Sequence, residues 1–479
     1  MKTRYAANLI LFGALLLSTV YAQCPQQVTL SLTKEIPFTF PNQALTMKHD
    51  RNNKPYLYVA AKEQGIRIYD LAPVSPVLVK SFPVSVLSNL EAMSVSQDGN
   101  YLYVALGNSF GTAGQLPGMA IIDVSDPANA VLKDSWKFST GNTGAGIVQV
   151  EGDYAYLGAM GQGLIILNIA DKTNITFVSQ FIPSISFPNP VNPDPAKYNA
   201  RGLEVKNSVV YLCYDAGGFR IIDATNKNLP KETGHYSNSL LQNRPRAYNN
   251  LVLNDSLAYI AVDYCGMEIL NIKDSTHITQ TGWWNPWHCE NTSNTWFNSG
   301  GHTNEIVFHP YCKLIFMSSG KSEVSVVNVS DPTQPDSCTK YTTPAGSQGT
   351  WGIDLYNSSL YTGYIFVPLG IPFSSNWGGV KIIDFHSNCI EGVSPIASRP
   401  DYRLVPNPAG NEVKLTGTQA GEKVSFTFFD MTGKIILTTT SVTSENTINI
   451  SALPAACYQV LIKGKYGEVR KKLIVTNNY

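Results

Sequence analysis

Charge is scarce in this chain. Only 15% of its 479 residues are charged, and 35 basic side chains cancel 35 acidic ones. Neither sign gathers into a long block, which excludes a nucleic-acid partner and an anionic membrane held by charge alone. After the N-terminal region no segment approaches the ~20 apolar residues of a membrane span. The nucleophile elbow Gly-x-Ser-x-Gly, the zinc helix His-Glu-x-x-His, the phosphate loop and the dinucleotide fingerprint are also missing, so the commonest hydrolase, metallopeptidase and nucleotide chemistries have no motif here. What the chain has in quantity is 43% hydrophobic residues with 25 Tyr, 37 Gly and 28 Pro. That is the composition of pleated strands joined by tight turns.

Lys2 and Arg4, the apolar run from Leu9 to Leu17 and Val20-Tyr-Ala22 read as a secretory signal over residues 1–22, with an apolar core too short to persist as a membrane helix. Cys24 falls one place too late for a lipoprotein signal. The eight cysteines therefore belong to an oxidising compartment, where 105 complete pairings are open to them.

Seven times the chain repeats an apolar strand, a second strand resembling Tyr-Val-Ala, a glycine-containing turn and a third strand ending in Asp or Asn. The third strand recurs as Ile66-Arg-Ile-Tyr-Asp70, Ala120-Ile-Ile-Asp123, Leu164-Ile-Ile-Leu-Asn168, Phe219-Arg-Ile-Ile-Asp223, Met267-Glu-Ile-Leu-Asn271, Val324-Ser-Val-Val-Asn328 and Val380-Lys-Ile-Ile-Asp384. Its last residue returns at intervals of 53, 45, 55, 48, 57 and 56 residues, about one four-stranded sheet each. The pattern predicts an all-β fold, a seven-bladed β-propeller over residues 23–389, followed by a linker at 390–400 and a small Ig-like β-sandwich at 401–479. Innermost strands are expected at 44–48, 92–95, 147–150, 203–205, 251–253, 306–308 and 353–355.

The seventh repeat lacks an outer strand after Asp384, whereas residues 28–37 have strand alternation and no partner of their own. Pairing of 28–37 with 380–384 closes the ring and removes its open edges. On that basis Cys24 is expected to bridge Cys389, replacing the missing hairpin link. Cys265 and Cys289 are expected to pair on one face and Cys312 and Cys338 on the other, with Cys213 and Cys457 as free thiols.

Leu57-Tyr-Val-Ala60, Leu102-Tyr-Val-Ala105 and the Gly-x-x-Ile-Ile-Asp pattern resemble the LVIVD family of bacterial surface propeller repeats, which implies the fold without implying one activity. The last 80 residues resemble the type IX secretion C-terminal sorting domain, through Val405-Pro-Asn-Pro408, Asp430-Met-Thr-Gly-Lys434, Ile448-Asn-Ile-Ser-Ala-Leu-Pro-Ala455, Tyr458-Gln-Val-Leu-Ile462 and Lys472-Leu-Ile-Val475. Ala456-Cys457 stands where that family usually has Gly. The resemblance implies export through the type IX machinery, cleavage near the linker, and attachment to the cell surface or release.

Long insertions at 107–118, 183–199, 283–301 and 363–378 all fall in connections that reach one rim of a propeller, which marks that rim as a recognition surface. Trp283, Trp284, Trp287 and Trp296 crowd one loop, with Trp351 and Trp377 from the next repeat. Aromatic faces interleaved with Asn, Ser and Thr suit a sugar ring, and they equally suit a loop packing on itself. Aligned innermost strands bring Glu91, Gly146, Arg201, Asn249, Asn304 and Trp351 to equivalent positions near the channel entrance, where they bind a small ligand or hold water. His302 and Glu305 with His288, His309 and Cys289 fit no zinc spacing. The first reading is a non-enzymatic binding or adhesion protein that takes a glycan or a surface protein on its aromatic rim. The alternative is a hydrolase or lyase using carboxylates from Glu91, Glu204, Glu305 and Asp354, with calcium as its possible ion. A structural surface protein without a small ligand is the third.

Overall fold

The computed structural model describes residues 24, 27–108, 115–189, 191–293, 301–343, 349–366, 375–391, 402–416, 424–430, 434–441, 447–464 and 467–476. The chain folds as two compact units, the first ending at Ser387 and the second beginning at Asn388.

The first unit is built from antiparallel four-stranded sheets, each ordered from an innermost to an outermost strand. Their innermost strands are Thr46–His49, Ala92–Asp98, Ile147–Glu151, Gly202–Lys206, Tyr248–Asn254, Thr303–His309 and Gly349–Tyr356. Each packs against the next, and the last against the first. The ring is therefore closed, as in a β-propeller. Second and third strands are covered on both faces by neighbouring sheets, so they read as nearly continuous apolar runs rather than alternating ones. Tyr58, Ile66 and Ile68 of one sheet share a core with Leu102, Val104, Ala120 and Ile122 of the next.

The recurrent Asp/Asn at the end of the third strand has a local cause. In Asp70, Asp123, Asn168, Asp223, Asn271 and Asn328 a side-chain oxygen accepts the backbone N–H two residues on, at 2.8–3.0 Å. These are Asx turns that start the connection to the outer strand. Asp384 has no such connection to start, and its carboxylate accepts from Ser359 Oγ instead. The pairing of third and outer strands carries a β-bulge in each sheet, as between Ile68 and Tyr69 or Ile269 and Leu270. The bulges add twist where the sheets fan apart.

Closure follows the expected path. Thr29–Phe38 pairs antiparallel with Gly378–His386, setting Ser31 opposite Asp384 and Ile36 opposite Val380. Ile36 and Phe38 are buried in a core with Met47, Val59 and Tyr69 of the first sheet, so the N-terminal strand is fixed by packing as well as by hydrogen bonds.

The cysteines require a correction. Cys265 pairs with Cys289 as expected, and Cys213 and Cys457 are free. Cys24 pairs with Cys338, however, and not with Cys389, which also rules out the expected Cys312–Cys338 bridge; Cys312 and Cys389 are likewise disulfide-bonded. The outer strand Asp336–Tyr341 lies beside the closing strand, and a bulge leaves Cys338 unpaired between Ser337 and Thr339. The bulge frees Cys338 from the pleat alternation, so Cys24 meets the adjacent sheet sideways rather than the end of its own partner strand.

In the second unit a three-stranded sheet (Arg403–Val405, Glu412–Thr416, Thr447–Asn449) and a four-stranded sheet (Ile435–Ser441, Val424–Phe429, Ala456–Gly464, Gly467–Val475) share one core. Val413 and Leu415 of the first pack with Phe426, Phe428 and Val460 of the second, the alternate-residue burial of half-exposed strands.

Candidate functional site

A cavity opens at one end of the central channel, lined by Met93, Arg201, Asn249, Asn304, Glu305 and Trp351 among others. The backbone explains why these residues and not their neighbours reach it. Four innermost strands carry a register shift near the cavity, between Ala92 and Ser94, Tyr248 and Asn250, Thr303 and Ile306, and Thr350 and Ile353. The residues displaced by these bulges are Met93, Asn249, Asn304 with Glu305, and Trp351 with Gly352, and every bulge sends a side chain to the cavity. A bulge re-aims a side chain that regular pleating would turn into the sheet stack. Gly146 and Arg201 reach the cavity from just before their strands.

The bulges are tied to one another. Asn249 Nδ2 donates to Thr303 O at 2.6 Å. Ser318 Oγ donates to Trp351 O at 2.6 Å and accepts from Glu305 N at 2.9 Å. Glu305 Oε2 accepts from Ile353 N at 3.2 Å. Asn304 differs: it is 3% exposed, and neither its Oδ1 nor its Nδ2 has a hydrogen-bond partner among the described residues. Asn249 Oδ1 is unpartnered in the same way.

Below the mouth, Lys48 Nζ donates to Asp354 Oδ1 at 3.1 Å, and Arg51 bonds the same oxygen. Burial pushes the Glu305 carboxyl up to about 7, against the pull of Lys48 and the Ile353 N–H and with a further push from Asp354. Glu204 is likewise raised to about 7 by burial, and Lys48 again opposes the shift. Three of the four carboxylates singled out in the sequence therefore gather around Lys48. Glu91 does not: it pairs with Lys62 at 3.4 Å outside the cavity, its carboxyl raised by burial and lowered in part by Lys62.

Beside the mouth, His302 Nδ1 lies 2.7 Å from Asp263 Oδ1. Its ring meets Trp351 edge to face at 5.8 Å, and the Arg201 guanidinium lies 6.0 Å from the Trp351 centroid. Asp215 is raised to about 6 by burial, while Arg201 and the Asn199 amide pull it down and Asp263 pushes it up.

The remaining aromatics do not join this cluster. Trp283 Nε1 donates to Cys265 O and Trp284 Nε1 to Ser337 Oγ. Trp284 is 7% exposed and meets Trp287 edge to face at 5.3 Å. A Cβ at Gly301 would lie 2.4 Å from Trp287, so this glycine lets the backbone lie against the ring. Trp377 packs edge to face on Tyr364 at 5.1 Å. Trp296 lies outside the described residues. Among the described residues no group of three His, Cys, Asp or Glu side chains is arranged to hold a metal ion.

Glu305 gives the site a pH dependence. A carboxyl whose folded pKa lies above its ordinary 4.5 binds its proton more tightly in the native state. Its contribution to stability is therefore full at low pH and is lost as pH rises through about 7. Glu305→Gln is expected to flatten the fall in stability between about pH 5 and 7.5, measured by urea unfolding at each pH. An unchanged slope would place the Glu305 carboxyl among ordinary, ionised carboxylates.

A closed ring of four-stranded sheets around a lined mouth defines a β-propeller protein. Residues 403–476 match the family model of the secretion system C-terminal sorting domain, and residues 91–137 and 144–182 match the LVIVD repeat. No curated protein sequence matches the chain. Among solved structures it is similar to PorZ, described as an essential bacterial surface component of the type IX secretion system of Porphyromonas gingivalis, at 13% identity and TM-score 0.39, covering 89% of this chain and 65% of that one. It is also similar to the β-propeller domain of Cps50 (Swd1) from Myceliophteria thermophila, at 11% identity and TM-score 0.48, over 74% of this chain and 99% of that one. The WD40 propeller domain of Doa1 is similar at 10% identity and TM-score 0.49, over 74% and 97% of the two chains. This chain, then, carries LVIVD repeats and a type IX sorting domain, and it is a secreted or cell-surface protein. No helix among the described residues is long and apolar enough to cross a membrane.

Proposed function

We propose that the protein is a binding or adhesion module, a seven-bladed propeller over residues 23–389 that recognises a glycan with the rim around its channel mouth. Residues 1–22 serve as signal peptide and residues 401–479 as an Ig-like sandwich read by the type IX machinery, with 390–400 as the linker between propeller and sandwich. The observation that carries this reading is the set of four bulges converging on one cavity. A bulge re-aims the side chain it displaces, and these four turn Met93, Asn249, Asn304 with Glu305, and Trp351 into the same cavity. Asn249, Asn304, Arg201 and Glu305 supply hydrogen bonds beside the Trp351 ring, the combination that suits hydroxyls on one face of a sugar and C–H bonds on the other.

Trp351→Ala is expected to lower glycan-array binding by about tenfold, the ~1.4 kcal/mol of one aromatic contact, read at a temperature where circular dichroism shows the variant folded, since Trp351 also packs on Leu45, Met93 and Ile365. Wild-type protein silent on glycans but retained by a surface protein would replace the glycan by a protein ligand. A hydrolase or lyase is the second reading, favoured by Glu305 and Glu204 both lying near 7 around Lys48, where a protonated carboxyl can act as general acid. It requires turnover of a carbohydrate or ester that Glu305→Gln abolishes.

A further inference from the structure

We propose that the mouth cavity takes the terminal sugar of a neutral carbohydrate chain end-on, with neighbouring hydroxyls bonded to the amides of Asn304 and Asn249. This rests on the glycan reading above and names the part of the ligand that enters.

The argument starts from the orphaned amide. Asn304 is 3% exposed and leaves one donor and one acceptor without a partner, and Asn249, held by its bond to Thr303 O, leaves one more acceptor. A buried polar group without a partner costs about 1–3 kcal/mol, and native proteins keep few of them. Two asparagines from adjacent sheets, both delivered by bulges to one cavity, share this condition. A hydroxyl both donates and accepts, so a vicinal pair meets Nδ2 and Oδ1 of one amide together.

Charge and shape narrow the ligand further. Of the ionisable groups lining the cavity, Arg201 has the Asp215 carboxylate nearby to balance it, and the buried Glu305 carboxyl keeps its proton up to about 7. The site therefore calls for no net charge on its ligand. Trp351, Met93 and Ile147 give the apolar part of the wall, against which the C–H edge of a ring can rest. The volume is about 40 Å³, which at ~10–15 Å³ per water-sized group admits about three such groups. That is the hydroxylated edge of one ring. Lys48 and Asp354 stand below, so the chain end enters and the rest extends outward over the rim.

The test is saturation-transfer NMR on the full secreted chain with glucose, galactose, mannose, N-acetylglucosamine and their linear trisaccharides. Transfer is expected to concentrate on the ring at one chain end. Asn304→Ala is expected to weaken binding at least tenfold while the melting temperature stays unchanged, since the replaced amide has no partner to lose. Asn304→Leu keeps the volume without a charge and loses both the donor and the acceptor, and it carries the same expectation should the alanine variant melt early. Transfer spread over internal rings, or Asn304 variants that bind as wild type while Trp283→Ala with Trp287→Ala loses binding, would overturn end-on entry and leave the glycan reading standing. Glycine or acetate binding in place of sugars, with the same sensitivity to Asn304, would overturn the neutral-sugar assignment. Wild-type protein that binds none of the saccharides would sink both readings.

Discussion

Lys381→Ala is expected to destabilise the propeller by about 3–5 kcal/mol, the cost of leaving one partner of a buried ion pair behind. Lys381 Nζ lies 3.0 Å from Glu323 Oε2, and both side chains are 1% exposed. Lys381 comes from the third strand of the sheet that closes the ring. Glu323 sits in the turn before Val324–Asn328 of the preceding sheet. The pair therefore joins two sheets through their stacked faces. Tyr364 donates its hydroxyl to Glu323 at 2.5 Å, and the Lys381 ammonium donates to Thr343 Oγ1 at 2.7 Å. The same ammonium lies 4.6 Å from the Tyr364 ring centroid and 5.5 Å from that of Trp377.

Alanine at 381 strands the Glu323 carboxylate in a buried interface without its counter-charge, held by the Tyr364 phenol and the Thr343 N–H. Lys381→Met combined with Glu323→Leu removes both charges together and is expected to recover most of the loss, since an apolar pair of similar volume is often as stable as the buried ions. Urea unfolding of the two variants beside wild type measures the difference. A loss below ~1 kcal/mol for Lys381→Ala would mean the pair behaves as a solvated surface bridge.

The second large effect concerns closure. Cys338→Ser is expected to cost about 2–5 kcal/mol, because the bridge to Cys24 spans 314 residues of sequence and holds the free end of the closing strand. Without it Thr29–Phe38 is kept by its ladder to Gly378–His386, by the burial of Ile36 and Phe38 and by Lys34 Nζ donating to Leu71 O at 2.8 Å. Amide exchange should accelerate first in these two strands, while strands such as Leu164–Asn168 on the far side of the ring keep their protection. Exchange that rises evenly around the ring would show that closure does not depend on this bridge.

Much of the architecture was legible because its causes are local. The terminal Asp or Asn of each third strand could be read as punctuation since its side chain bonds the backbone two residues on, whatever the rest of the ring does. Val380-Lys-Ile-Ile-Asp384 and residues 28–37 could be matched because an outer strand was missing at one end and spare at the other. The cysteine partners are less legible. Hairpin logic places Cys24 against Cys389, and the bulge at Cys338 that turns this residue toward the closing strand has no mark of its own in Asp336-Ser-Cys-Thr-Lys-Tyr341.

The mouth shows the same division. Strand periodicity aligns Arg201, Asn249, Asn304 and Trp351, and the four meet at one cavity. Glu91, aligned with them, pairs with Lys62 instead. Glu305 joins the cavity because a bulge takes it out of alternation. Trp283 and Trp284 commit their indole N–H groups to Cys265 and Ser337, partners 18 and 53 positions away in the chain.

Strand periodicity, turn chemistry and the sorting-domain motifs are written in the chain because each depends on neighbours within a few residues. Bridge partners, buried ion pairs and the side chains that share the mouth arise only when sheets stack, because a bulge shifts register by one residue and that shift is settled by what packs against it.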